Sequence, residues 1–124
     1  MDGYTQNKYD FPTKRYCQTL SLRDDPELIA AYRKLHSREG VWQEILDGIR
    51  SVGILEMEIY LAGTQLVMIV EAPAEFDWTA AMNKLATLPR QEEWEALTAK
   101  FQKAAAGATS DEKWQMMERI FHLY

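Results

Sequence analysis

The chain has 124 residues, of which 47% are apolar and 27% charged, and a formal net charge of −5. That length supports one domain with a real core, and the apolar and charged shares are those of an ordinary globular protein. An acidic chain lacks the basic footprint of a nucleic-acid binder, no stretch approaches the roughly 20 apolar residues of a membrane span, and the single cysteine, Cys17, excludes an internal disulfide.

Residues 1–13 are polar and read as a loosely held, flexible arm, with Tyr4, Tyr9 and Phe11 as the side chains able to dock it. They carry no apolar segment of secretory type, so the expected setting is the cytoplasm. The folded domain is expected over residues 14–124.

From Arg15 to Leu22 the residues alternate: Tyr16, Gln18, Leu20 and Leu22 on one side, Cys17, Thr19 and Ser21 on the other. This is the pattern of a half-buried strand, in which Cys17 reads as a small buried residue. Asp24-Asp25-Pro26-Glu27 then opens a helix, with an aspartate cap, a proline where no amide hydrogen is needed, and acid near the positive end of the helix dipole. The helix carries Tyr32 and His36, is expected to loosen or kink over Ser37–Gly40, and resumes through Val41, Trp42, Ile45, Leu46 and Ile49 until Gly53.

Ile54–Leu61 reads as a second strand, with Leu55, Met57, Ile59 and Leu61 opposite Glu56, Glu58 and Tyr60. Ala62-Gly63-Thr64 is a short turn, and Gln65–Glu71 returns as a third strand, apolar almost throughout. A strand apolar on both sides asks for cover on both faces: helices on one, and most simply a second subunit on the other. Asp77 caps a helix through Leu85, and Thr87–Arg90 breaks it. A longer helix is expected over Gln91–Ala106, a loop over Gly107–Ser110, and a closing strand over Lys113–Leu123. The order strand, helix, strand, strand, helix pair, strand defines an α+β, ferredoxin-like antiparallel sheet with helices on one face.

Metal chemistry finds little support. The chain has two histidines and no cysteine pair, no His-Glu-x-x-His and no glycine-rich phosphate loop, and its acids are scattered as on a solvated surface. The stretch Ala31–His36 is more informative. Tyr32 and His36 are one helical turn apart and lie on or beside the apolar stripe, whereas Arg33 and Lys34 face solvent. A half-dry imidazole beside a phenol suits proton transfer, because its pKa starts near neutrality. A buried histidine with one hydrogen bond fits the same pattern. Trp42, Trp78 and Trp94 are likewise open to two readings, core packing or an aromatic wall on which a sugar ring stacks.

The ordered set Asp25-Pro26, Tyr32-x-x-x-His36, Val41-Trp42-x-Glu44, Gly53-Ile54 leading into Ile59-Tyr60, and Trp94 in the late helix resembles the L-rhamnose mutarotase family. The resemblance runs from about Arg15 to Leu123. Glu56-Met57-Glu58-Ile59-Tyr60 and Met117-Glu118-Arg119-Ile120-Phe121 look more like members associated with L-fucose. The resemblance implies a dimeric ferredoxin-like α+β barrel, a homodimer formed through the sheet, and a cytoplasmic enzyme that needs no cofactor and interconverts α and β anomers of 6-deoxy sugars. It makes His36 the proton donor to the ring oxygen and Tyr32 its neighbour on the substrate. Met57 (an aromatic in the rhamnose type) and Glu93-Trp94 (a tryptophan pair there) become further sugar contacts, with Glu93 or water as the partner base. A cofactor-free monooxygenase on a similar barrel and a non-catalytic small-ligand module are the alternatives.

Overall fold

The computed structural model describes residues 1–124. Along the chain lie β1 (Thr13–Ser21), α1 (Pro26–Leu35), α2 (Gln43–Ser51), β2 (Glu56–Ala62), β3 (Gln65–Pro73), α3 (Trp78–Leu85), α4 (Gln91–Ala99), α5 (Ser110–Lys113) and β4 (Gln115–Met116). The strands form one antiparallel sheet in the order β2-β3-β1-β4, which is the ferredoxin-like arrangement the element order predicts.

Local chemistry explains most boundaries. The Asp25 carboxylate accepts from the amides of Glu27 and Leu28, with Pro26 at the first helical position. Asp77 does the same for Ala80 at the start of α3. Between α1 and α2 the chain doubles back so tightly that a side chain at Gly40 would collide with the carbonyl oxygens of Lys34 and Leu35, so only glycine fits. The expected loosening is thus a full break between two helices. Ala62 pairs with Gln65 across a two-residue turn in which Gly63 takes a left-handed φ of 60°.

The alternation read from the sequence holds in β1, and β3, read as apolar almost throughout, is fully buried only at every second residue. Gln18, Leu20, Leu66, Met68, Val70 and Ala72 are buried on one face, where they meet Tyr32, Ile54, Ala81, Met82, Leu85 and Trp114 from the helical side. On the opposite face Cys17, Thr19, Val67 and Ile69 are only half-buried. The N-terminal arm lies along the β2 edge of that face. Tyr4 meets Tyr60 edge-on at 5.8 Å, Gln6 donates to Glu58 at 3.4 Å and Asn7 to Glu56 at 3.5 Å. Thr13, assigned to the arm from sequence, already belongs to β1.

Two expectations are corrected at the C-terminal end. The helix predicted over Gln91–Ala106 stops at Ala99, because the chain is pulled across to pair Gln102 with Leu22 and to bond Lys103 to the Ser21 carbonyl. The strand predicted over Lys113–Leu123 is reduced to Gln115–Met116, paired with Thr19 and Gln18, with one further bond from Met117 N–H to the Cys17 carbonyl. A capping box between Thr109 and Glu112 holds Ser110–Lys113 in a helical turn, so strand geometry starts only beyond Trp114. After Met117 the tail leaves the sheet, and Ile120, Phe121, Leu123 and Tyr124 are exposed.

Candidate active site

Between α1, α2, α4 and the helix-facing side of β2 and β3 lies a cavity of about 350 Å³. Its wall is aromatic. Tyr32 and His36 stack with centroids 4.2 Å apart and Trp94 meets His36 edge-on at 5.4 Å, while Trp42, itself not lining the cavity, backs Trp94 edge-on at 5.2 Å. Outside this wall the Arg90 guanidinium covers Trp42 at 3.9 Å, and Arg90 pairs with Glu44 at 3.0 Å and Glu93 at 3.3 Å. Met57, Ile59 and Met68 supply the sheet side.

The imidazole is oriented by its own helix. His36 Nδ1 lies 2.9 Å from the Tyr32 carbonyl oxygen. A carbonyl only accepts, so Nδ1 carries the hydrogen and, in the neutral ring, Nε2 keeps the lone pair. Burial pushes the His36 pKa below its ordinary value, against the weaker opposing pull of that backbone bond, and favours the neutral ring. Burial also drives the Tyr32 phenol up to about 12, so it stays protonated.

A second set of polar groups lies behind Tyr32. The Lys113 ammonium pairs with the Glu95 carboxylate at 2.8 Å, and Gln102 donates to the Tyr32 oxygen at 3.3 Å. Gln91 donates to the other Glu95 oxygen at 2.9 Å. Gln91, Glu95, Thr98 and Gln102 all line the cavity. They stand outside the residues predicted from sequence. The signal available was their recurrence at helical spacing (91, 95, 98, 102) on the face that also carries Trp94.

Of the residues predicted from sequence, the fold brings Tyr32, His36, Met57 and Trp94 to this one cavity. Glu93 is not brought there: it is exposed and held by Arg90, and the acids lining the cavity are Glu56 and Glu95. Cys17 lies on the other face of the sheet, with Met117 sulfur 3.8 Å away. No group of three or more His, Cys, Asp or Glu side chains is gathered in metal-binding fashion, and no helix is long and apolar enough to cross a membrane.

A half-enclosed cavity with an aromatic wall, one neutral imidazole, one phenol and amide groups is suited to a small polyhydroxylated ligand and to proton transfer. Comparison with known proteins specifies the class. The family model for L-rhamnose mutarotase matches residues 15–123, and the chain belongs to that family. It is therefore a sugar mutarotase, a carbohydrate isomerase.

Among individual relatives, the L-fucose mutarotase of Xanthomonas campestris pv. campestris is 40% identical over 110 residues, spanning 89% of this chain and 88% of its own. A protein of Dictyostelium discoideum is 38% identical over 114 residues, spanning 89% of this chain and 90% of its own. The crystal structure of the L-rhamnose mutarotase from Formosa agariphila superposes with a TM-score of 0.66 at 15% identity, over 90% of this chain and 99% of that one, which shows a shared fold.

Proposed function

We propose that the protein exchanges the α and β anomers of a 6-deoxy aldose of L-fucose type, with His36 and Tyr32 moving the protons. The observation that carries this reading is the bond from His36 Nδ1 to the Tyr32 carbonyl, which leaves a neutral imidazole with its Nε2 lone pair available beside the cavity. The choice of sugar is supported by the name of the 40% identical Xanthomonas relative.

The His36 Nε2 lone pair takes the proton of the anomeric hydroxyl while the Tyr32 phenol donates to the ring oxygen. The C1–O5 bond breaks, C1=O1 forms, and the sugar opens to its aldehyde. Rotation about C1–C2 presents the other aldehyde face. The C5 hydroxyl then attacks C1, its proton returns to Tyr32, and the imidazolium returns the first proton to O1. His36 thus serves as base on opening and as acid on closing. The acid at the ring oxygen, expected from sequence to be His36, is Tyr32 in this reading, and the acid step left to His36 is at O1. Trp94 and Met57 shape the sugar site, and Glu93, held outside by Arg90, is replaced as the nearby carboxylate by Glu95.

The same family resemblance supports a cytoplasmic homodimer. The half-buried outer sheet face and the exposed apolar tail from Ile120 to Tyr124 are the surfaces a second copy would cover. The direct test is saturation-transfer NMR between the anomeric protons of L-fucose, L-rhamnose and galactose. Faster exchange with L-fucose than with the others is expected, and no acceleration with any of the three would overturn the reading.

A further inference from the structure

A buried chain of hydrogen bonds runs behind Tyr32, and one end fixes its direction. The side chain of Lys113 is 0% exposed. Its ammonium lies 2.8 Å from a Glu95 carboxylate oxygen, 2.8 Å from the Glu95 carbonyl, 3.1 Å from the Thr98 hydroxyl and 3.2 Å from Gln102 Oε1. An ammonium donates and never accepts. Gln102 must therefore turn its amide oxygen to Lys113, leaving the amide nitrogen for the Tyr32 phenol at 3.3 Å. That nitrogen also only donates, so the phenol oxygen accepts from it. Tyr32 has a single hydroxyl hydrogen, Gln102 takes none of it, and Tyr32 lines the cavity.

The geometry points to Lys113 and Gln102 as positioning residues for anomer exchange: together they hold the Tyr32 phenol as a hydrogen-bond donor toward a sugar oxygen. The inference rests on the reading of Tyr32 given above. A buried ion pair such as Lys113–Glu95 is weak as a stabilising device, since well-packed apolar residues often do as well. Its value here is directional. A neutral apolar residue at position 113 would leave Gln102 free to rotate its amide and accept the phenol hydrogen itself. Glu95 offsets the buried lysine charge and, by its own negative charge, adds to the burial that keeps the phenol protonated.

Gln102→Glu tests this with almost no change of shape. One carboxylate oxygen still accepts from Lys113, but the other now accepts from Tyr32 and draws the phenol hydrogen away from the cavity. With L-fucose as substrate, kcat should fall about tenfold or more, up to the ~10²- to 10⁴-fold that one proton-transferring group contributes, and KM should move less. Tyr32→Phe should also lower kcat, and adding Gln102→Glu to it should cost nothing further, because the group being aimed is gone.

Equal losses from Gln102→Glu with and without the Tyr32 hydroxyl would overturn the inference. So would full kcat in Gln102→Glu while Tyr32→Phe is impaired. Full activity in Tyr32→Phe would instead remove the reading of Tyr32 as a substrate contact, and the inference with it. If Gln102→Glu does not fold, the pair Glu95→Gln with Lys113→Met removes both charges together and is expected to show the same dependence on the Tyr32 hydroxyl.

Discussion

Arg90 lays its guanidinium 3.9 Å above the ring of Trp42, and so braces from outside the aromatic wall that faces the cavity. It does this from a left-handed backbone conformation, φ 64°, at the N-terminus of α4. The same arginine bonds Glu44 on α2 and holds that carboxyl below its ordinary pKa. One exposed residue thereby ties the two helices that flank the site.

Arg90→Ala keeps the strained backbone and loses the stacking, so its Tm should drop by a few degrees. Arg90→Gly loses the same stacking but relieves the strain, and should unfold at a higher temperature than Arg90→Ala. Thermal unfolding of the three proteins checks the order, and a lower Tm for the glycine variant would refute it.

His36→Asn should remain folded, as judged by thermal unfolding, and lose about 10²- to 10⁴-fold in anomer exchange, the usual contribution of one acid–base group. Undiminished exchange in the folded variant would exclude His36 from the chemistry.

The pH dependence follows from the direction of the His36 shift. Burial holds its folded pKa below the ordinary 6.5, so the unfolded chain binds the proton first as pH falls. The stability this residue contributes is fully present above pH 6.5 and is lost as pH falls through the folded pKa, levelling off below it. Activity that depends on the neutral ring should hold steady down through pH 6.5 and then decline below the lowered pKa. NMR titration of the ring and a pH profile of kcat/KM should locate the same midpoint. A decline that begins well above 6.5 would contradict the burial argument.

Met57 faces the cavity from β2, and the family resemblance drawn from the sequence implies an aromatic at this position in the rhamnose type. Met57→Tyr should move the ratio of L-fucose to L-rhamnose exchange toward L-rhamnose by about tenfold, the scale on which one altered pocket contact discriminates. An unchanged ratio would place sugar choice elsewhere in the site.

If a second copy covers the exposed apolar tail, light scattering should give twice the monomer mass, and Phe121→Glu should shift the protein toward monomer. A wild-type protein that runs as a monomer at micromolar concentration would end the homodimer reading.

The parts of this molecule legible in its sequence are those governed by near neighbours. The alternation of Gln18, Leu20 and Leu22, the caps at Asp25 and Asp77, and the Gly63 turn each follow from a few adjacent residues. The Tyr32–His36 pair is also local, one turn of one helix. The extent of the last strand is not. Alternation from Met117 to Leu123 says which side chains share a face, but strand pairing needs a neighbour, and beyond Met117 the tail has none within the chain. The length of α4 was hidden for a related reason, since it is set by the distant pairing of Gln102 with Leu22. The Lys113 network joins residues 11, 15 and 70 positions apart, and no window of sequence contains it.

The edge-on contact of Trp94 with His36 also gives the enzyme an optical reporter. A protonated imidazole quenches a neighbouring indole by accepting an electron from its excited state, and a neutral one does so far less. The emission of Trp94, isolated by difference against Trp94→Phe, should therefore track the charge on His36 in real time, in the empty enzyme and while sugar turns over, without any added dye.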